Sequence, residues 1–244
     1  MKSWRTRIDR FISEREQINR RAVHSLLAQG RIKIDGEPAN SISQVVGQFS
    51  HVTLDDDVLL ANTAHYIMLH KPAGVVSASR DRKRQTVIDL ISTPYAQELH
   101  LVGRLDFNST GLLLLTNDGQ WSRAISHPEN SIVKTYRVRL AKALTDDYVD
   151  AFAKGMYFAF EGVTTRPATL KILSDHEAEV GLFEGRYHQI KRMFGRFDNE
   201  VLSLHRIAVG NLPLDSELAP GEWRQLPLCE LQALGVDHCA AKSG

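Results

Sequence analysis

The chain has 244 residues, 43% of them hydrophobic and 24% charged, with a formal net charge of +1. That is the balance of a globular protein, long enough for one large domain or for a small and a larger one. No apolar run approaches the ~20 residues of a membrane-spanning helix, the basic start at residues 1–7 lacks the apolar stretch of a secretory signal, and Cys229 and Cys239 form neither a CxxC pair nor a disulfide framework, so a cytoplasmic protein with reduced thiols is expected.

Charge is unevenly placed. In residues 1–34, Lys2, Arg5, Arg7, Arg10, Arg15, Arg20, Arg21, Arg31 and Lys33 face only Asp9, Glu14 and Glu16, nine cations against three anions, a local excess of +6. Such a segment is either the footprint of a polyanion or a solvated basic face. Ile8, Phe11 and Ile12 give residues 5–17 a single helical stripe. Asn19 is placed to cap a second helix at 20–29, with Val23, Leu26 and Leu27 as its stripe and Gly30 at its end. Arg20 and Arg21 then occupy the first turn, where the helix dipole disfavours cations, which points to a partner outside the helix. Residues 31–34 alternate like a half-buried strand and Asp35-Gly36 supplies the turn; a further short strand at 51–54 runs into Asp55-Asp56-Asp57.

Residues 61–64 lack periodicity and read as a linker between domains at 1–60 and 65–244. A strand is expected at 66–70, broken by Lys71-Pro72-Ala73-Gly74 and resumed at 75–77. Residues 79–85 form a basic loop suited to a polyanion, and a helix is expected to start within 86–91. Leu112 to Leu115 is a continuous apolar run, a strand buried on both faces or a short core helix, closed by the turn signal Asn117-Asp118-Gly119. Just before it, Asp106 sits between Leu105 and Phe107. A carboxylate among apolar neighbours either caps its own turn or finds a cationic partner.

Beyond it the pattern gives a helix at 120–126 and a strand at 132–140 with Tyr136 on its more apolar face. A helix at 145–155 and successive strands over 157–183 follow. A helix starting at Tyr187 would group Tyr187, Ile190, Lys191 and Phe194 on one side and His188, Arg192 and Arg196 on the other. Lys191 in an apolar stripe either needs an anion or snorkels to water. A last strand at 200–209 carries Leu202, Leu204 and Arg206 on one face, and residues 212–226 form a tail that closes on the core.

The first 60 residues resemble the S4 RNA-binding module, through Arg-Ile-Asp-Arg-Phe-Ile at 7–12, Asn-Arg-Arg-Ala at 19–22 and Gln-Gly-Arg-Ile-Lys-Ile-Asp-Gly at 29–36. The resemblance implies that Arg20, Arg21, Arg31 and Lys33 face RNA phosphates. Four later pieces follow in order: Gly-Arg-Leu-Asp at 103–106, Lys-Thr-Tyr-Arg-Val at 134–138, Glu-Gly-Arg-Tyr-His-Gln-Ile-Lys-Arg-Met-Phe at 184–194 and Val-Leu-Ser-Leu-His-Arg at 201–206. Together they closely resemble the RsuA-type family of ribosomal RNA pseudouridine synthases. That implies an α+β chain, with the S4-like domain followed by a mixed, mainly antiparallel sheet with flanking helices. By this resemblance Asp106 is the catalytic aspartate, Tyr136 stacks on the target uracil, Lys191 pairs with the aspartate and Leu204 packs against it. Arg104, His188, Arg192 and Arg206 become candidate RNA contacts. A monomer that uses no cofactor and no metal is implied.

The chemistry fits these residue types. The N1–C1′ bond of uridine breaks, the uracil turns, and C5 joins C1′. A carboxylate must stay ionised in a dry pocket, which a cation within ~4–6 Å favours. It can attack C1′ or remove the 2′ proton, and the residues leave both routes open. The uridine must leave its helical stack to react. A glycosidic-bond hydrolase would want a second carboxylate ~5–10 Å away, for which only Asp118 and Glu184 are near the motifs; a non-catalytic assembly factor would not need Asp106, Tyr136 and Lys191 together. The stretches 118–122 and 218–224 look most like the member acting on small-subunit 16S rRNA, within a pre-ribosomal particle, with a large-subunit 23S enzyme as the alternative. Asn108, Ser109 and Thr110 are expected to hold the loop so that Asp106 points into the cleft.

Overall fold

A computed structural model describes residues 4–236, so Lys2 and Cys239 lie outside the described residues. The chain forms two compact units, one built mainly on residues up to Ala64 and the other mainly on residues from His65.

In the first unit, β1 (Arg5–Arg7) leads into α1 (Ile8–Glu16) and α2 (Arg20–Ala28). The Asn19 side chain accepts the Ala22 N–H at 2.9 Å, as a capping residue does. Gly30 at φ 67° closes α2, with its N–H bonded to Leu27 and the Arg31 N–H to Leu26. Four strands make a small antiparallel sheet: β2 (Ile32–Ile34), β3 (Glu37–Pro38), β5 (His51–Leu54) and β6 (Asp57–Ala61). Asp35 and Gly36 both have positive φ, which is what a two-residue hairpin between β2 and β3 requires. Residues 5–7 extend the chain rather than the helix, because they pair with β4 (Val45–Gly47). Ile8, Ile12, Val23, Ile32, Val46 and Val52 form the core of this unit.

The second unit is organised by a nine-stranded sheet among the described residues. Its strands are β7 (Tyr66–Lys71), β8 (His100–Val102), β9 (Thr110–Thr116), β10 (Lys134–Leu140), β13 (Thr169–Ser174), β14 (Glu177–Leu182), β15 (Val201–Val209), β16 (Leu212–Pro213) and β17 (Trp223–Gln225). The main path runs β13-β14-β10-β15-β9-β7-β17, while β8 pairs with β9 and β16 with β15. Leu112 to Leu115 are wholly buried, so the apolar run is a central strand covered on both faces. Tyr136, Val138 and Leu140 point inward from β10 and Arg137 and Arg139 outward, the alternation of a strand with one core face. A two-stranded hairpin, β11 (Tyr157–Phe158) and β12 (Val163–Thr164), stands apart from the sheet. The helices are α3 (Gly119–Ser126), α4 (Asp146–Lys154), α5 (Gln189–Gly195) and α6 (Leu228–Ala233). Phe152 of α4 meets Phe194 of α5 with ring centroids 4.9 Å apart, inside the large core of this unit.

Several expectations fail locally. Residues 75–77 are not a strand; Val76 only bridges to Thr86, closing the base of the basic loop. Residues 88–90 make a single tight turn, because Asp89 folds back to accept bonds from the Thr86 N–H and hydroxyl. Leu202 is exposed rather than sharing the inner face with Leu204 and Arg206. The tail does close on the sheet, with β17 pairing to β7 as its edge strand.

Candidate active site

The site grows from the one parallel junction of the sheet. His205 and Arg206 of β15 pair with Thr110 and Gly111 of β9, and the sheet's other pairings are antiparallel. Gly111 has φ 109°, and a Cβ there would run into the Arg206 main chain, so only glycine lets the two strands close. On the far side of β15, Tyr136 pairs with Arg206 after a register shift at Thr135/Tyr136. Such a bulge re-aims side chains beside a site. The loop that enters β9 therefore arrives beside Leu204, Arg206 and Tyr136.

That loop carries Asp106, at the wall of a cleft of about 490 Å³ that Tyr136, Tyr187, His188, Leu204 and Arg206 also line. The carboxylate does not cap its turn. Its Oδ2 lies 3.4 Å from Lys191 Nζ and its Oδ1 lies 3.6 Å from His188 Nε2. These are ion-pair distances rather than short hydrogen bonds, so both oxygens stay available to a ligand.

Lys191 is not sunk in an apolar stripe; its side chain is 35% exposed. α5 begins at Gln189, and His188 precedes it in the left-handed conformation, φ 48° and ψ 34°. The helix thus starts two residues later than the periodicity predicts. His188 consequently turns to the same carboxylate as Lys191, not to the opposite face, and Tyr187 stacks on it at 3.9 Å. Glu184 anchors the turn before α5, accepting from Arg186, from Gln189 Nε2 and from the Arg166 N–H.

The loop itself is held from other strands. Lys71, at the end of β7 and fully buried, donates to the carbonyls of Pro72 at 2.9 Å, Phe107 at 3.2 Å and Ser109 at 2.9 Å. Burial pushes its ammonium down to about 8, against which the Asp106 charge pulls upward. Ser77 Oγ donates to the Leu105 carbonyl at 2.7 Å, and the Gly74 N–H donates to Phe107 at 3.0 Å. Of the expected holders, Ser109 acts through its backbone and not its side chain. Ser109 contributes its backbone N–H to the Asp106 carbonyl, while its buried hydroxyl has no partner among the described residues. Thr110 Oγ1 lies 2.8 Å from His205 Nδ1. A sequence window shows only local partners, and the carbonyls of this loop are met across the sheet. The one available signal was a cation ending a strand that is otherwise buried on both faces.

Arg206 is likewise not an exposed RNA contact, being 3% exposed. Its Nε donates to the Leu112 carbonyl at 2.6 Å and Nη1 reaches the Tyr136 hydroxyl at 3.5 Å. Lys134, which also lines the cleft, donates to Ile125 at 3.0 Å and Ile132 at 2.7 Å; burial and the Arg206 charge push it down to about 8. Arg192 is committed to Glu161 and lies 3.7 Å over the Phe158 ring, so it does not stand free. Arg104 is exposed at the cleft. In the first unit Arg20, Arg21 and Lys33 are exposed, whereas Arg31 pairs with Asp55 at 2.6 Å. No group of three or more His, Cys, Asp or Glu side chains among the described residues is placed to hold a metal ion.

Residues 65–195 match the family described as RNA pseudouridylate synthase. The chain belongs to that family. A Pseudomonas aeruginosa protein named ribosomal small subunit pseudouridine synthase A is 47% identical over 221 residues, which cover 90% of this chain and 96% of that one. A Pasteurella multocida protein of the same name is 38% identical over 226 residues, 92% of this chain and 97% of that one. A solved crystal structure of a pseudouridylate synthase, 38% identical, superposes with a TM-score of 0.68 over 93% of this chain and 99% of that one. The mixed, mainly antiparallel sheet is thus the fold of an RNA pseudouridine synthase, an isomerase, and the cleft at its parallel junction is this synthase's candidate active site.

Proposed function

We propose that this synthase converts a uridine of small-subunit 16S ribosomal RNA to pseudouridine, with Asp106 as the carboxylate that acts on the ribose. The observation that carries the reading is the Asp106 carboxylate, open to the cleft and flanked by Lys191 and His188. The relatives named for the small ribosomal subunit support the choice of RNA. Lys191 sets a positive charge beside the carboxylate, Leu204 excludes water beside it, and the Tyr136 ring holds the detached uracil while C5 turns toward C1′. Arg206, tied to β9 and to the Tyr136 hydroxyl, fixes where that ring stands. A hydrolytic reading is disfavoured because Glu184, the other carboxylate at the cleft, is engaged by three internal donors.

The first unit adds the S4-like RNA grip. Its exposed Arg20, Arg21 and Lys33 contact phosphates, which position the RNA without reading its sequence. The test maps pseudouridines in 16S and 23S rRNA from cells lacking the protein. One 16S position should lose its pseudouridine, regain it with the wild-type protein, and not regain it with Asp106→Asn. A lost position in 23S rRNA would overturn the substrate. Restoration by Asp106→Asn would overturn the mechanism.

A further inference from the structure

The cleft offers a second aromatic surface that the isomerisation does not use. Phe107, next in the chain to Asp106, leaves 40% of its surface exposed and also lines the cleft. Single exposed apolar side chains are ordinary. This one is set on an unusually fixed base, since its carbonyl accepts from both the buried Lys71 ammonium and the Gly74 N–H. A ring presented by an immobilised main chain loses little freedom when a ligand covers it.

The charge beside that ring is equally specific. The Arg84 guanidinium lies 5.0 Å from the Phe107 centroid, within cation–π range. It forms no ion pair among the described residues. Its own N–H and that of Lys83 bond to Asp81, and the Val76–Thr86 bridge closes the loop just behind it. The basic loop is therefore anchored where Arg84 leaves it, and the exposed guanidinium, facing the ring and the Asp81 charge without closing an ion pair, is open to an anion. A flat π face beside an uncommitted guanidinium matches the two halves of a nucleotide, base and phosphate. Phe107 follows Asp106 directly in the chain and lines the same cleft, so a base on this ring would lie beside a ribose held at Asp106.

We propose that Phe107 and Arg84 form a second nucleotide subsite, in which the ring stacks on the base next to the flipped uridine and the guanidinium takes that nucleotide's phosphate. The subsite rests on the RNA-isomerase reading above. It answers an energetic need of that reading: extracting a uridine costs a few kcal/mol of stacking, and a protein ring that takes over the neighbouring base restores part of it. Tyr187 on the cleft is the competing platform. It is 71% exposed and, like Phe107 under Arg84, has one face already covered, in its case by His188; among the described residues it lacks a cation over its ring to take the phosphate.

The test uses a short RNA spanning the uridine found by the mapping, with 2-aminopurine placed on its 5′ side in one version and its 3′ side in another. Each is bound to Asp106→Asn enzyme, which prevents turnover. Stacking on Phe107 should quench one of the two probes. Adding Phe107→Leu should abolish the quenching and weaken binding roughly 10-fold or more, the scale of one lost base–aromatic stack. Phe107→Tyr should keep both. Arg84→Gln should weaken binding less and lower the salt slope by about 1. The proposal is overturned if Phe107→Leu keeps quenching and affinity, or if Tyr187→Ala rather than Phe107→Leu removes the quenching. Because the RNA is chosen by mapping, a wrong choice of ribosomal subunit shows up in the mapping and leaves the stacking result readable.

Discussion

The cations that hold the main chain around the cleft, its floor, and those that face the Asp106 carboxylate or the Phe107 ring, its rim, are used in opposite ways. On the floor Lys71 and Lys134 are spent on backbone carbonyls, and Arg206 donates to the Leu112 carbonyl and the Tyr136 hydroxyl while its buried Nη2 has no partner among the described residues. On the rim Lys191 and His188 approach Asp106 without closing on it, and Arg84 rests on a ring. Lys71 and Lys191 make the contrast sharpest. Both act on the same carboxylate, one by fixing the loop that carries it and one by facing it. A buried cation fully satisfied by carbonyls defines geometry, whereas a half-exposed one remains free to exchange partners as charge moves during a reaction.

The largest effect should come from the floor. Lys71→Ala removes the ammonium from three carbonyls, of which that of Phe107 keeps a second donor, the Gly74 N–H, and leaves a void beneath the loop, so a loss of roughly 3 kcal/mol is expected. The denaturant midpoint measures it, and activity should fall with it as the Asp106 loop loosens. If the variant is as stable as the wild type, the floor does not organise the site. The pH dependence gives a second readout. The folded-state value of Lys71 is about 8, below the ordinary 10.5, so the unfolded chain keeps the proton to higher pH. Between those values the unfolded state binds more protons, and this lysine's contribution to stability rises with pH. Lys134 acts with the same sign. Replacing Lys71 by Met should therefore make the stability curve above about pH 8 rise less, or fall more, than that of the wild type.

The rim should behave the other way. Lys191→Met is expected to lower kcat by roughly 10- to 100-fold, the scale of losing a positioned charge partner. Stability should move by less than about 1 kcal/mol, because exposed ion pairs contribute little to it. Steady-state kinetics beside a urea titration would separate the two. A variant that loses stability and keeps its rate would place Lys191 with the floor.

The same division explains what could be read from the sequence. Leu112–Leu115, the inward face of Tyr136 and the Asn19 cap were legible because each is a local pattern: a run, an alternation, a single residue before a helix. Asp106 and Lys191 were legible through the family motifs. Lys71 was not, since a lysine before proline reads as the end of a strand. Its partners at Phe107 and Ser109 are 36 and 38 residues away. Arg206 on a strand face gave no sign that its guanidinium would be buried. His188 leaves the side that periodicity predicts because it is itself left-handed and delays the helix, and 3.6-residue periodicity cannot register a start that a single φ decides.

The smallest effects are expected where cations are free and no floor supports them, in the first unit. Arg20 and Arg21 open α2 against its dipole and have no ion-pair partner among the described residues, whereas Arg31 holds Asp55 through two hydrogen bonds. If free cations contact RNA and engaged ones shape the protein, these arginines should part company. Arg20→Gln with Arg21→Gln should weaken RNA binding a few-fold and lower the slope of log K against log salt by about 2, with stability little changed, because relief of the clash with the helix dipole is offset by loss of the Arg20 charge that favours ionised Asp9. Arg31→Gln should lower stability only slightly, since its exposed pair with Asp55 is screened, and leave the salt slope as it was. Equal slopes for both variants would mean that intramolecular engagement does not decide which cations the RNA sees.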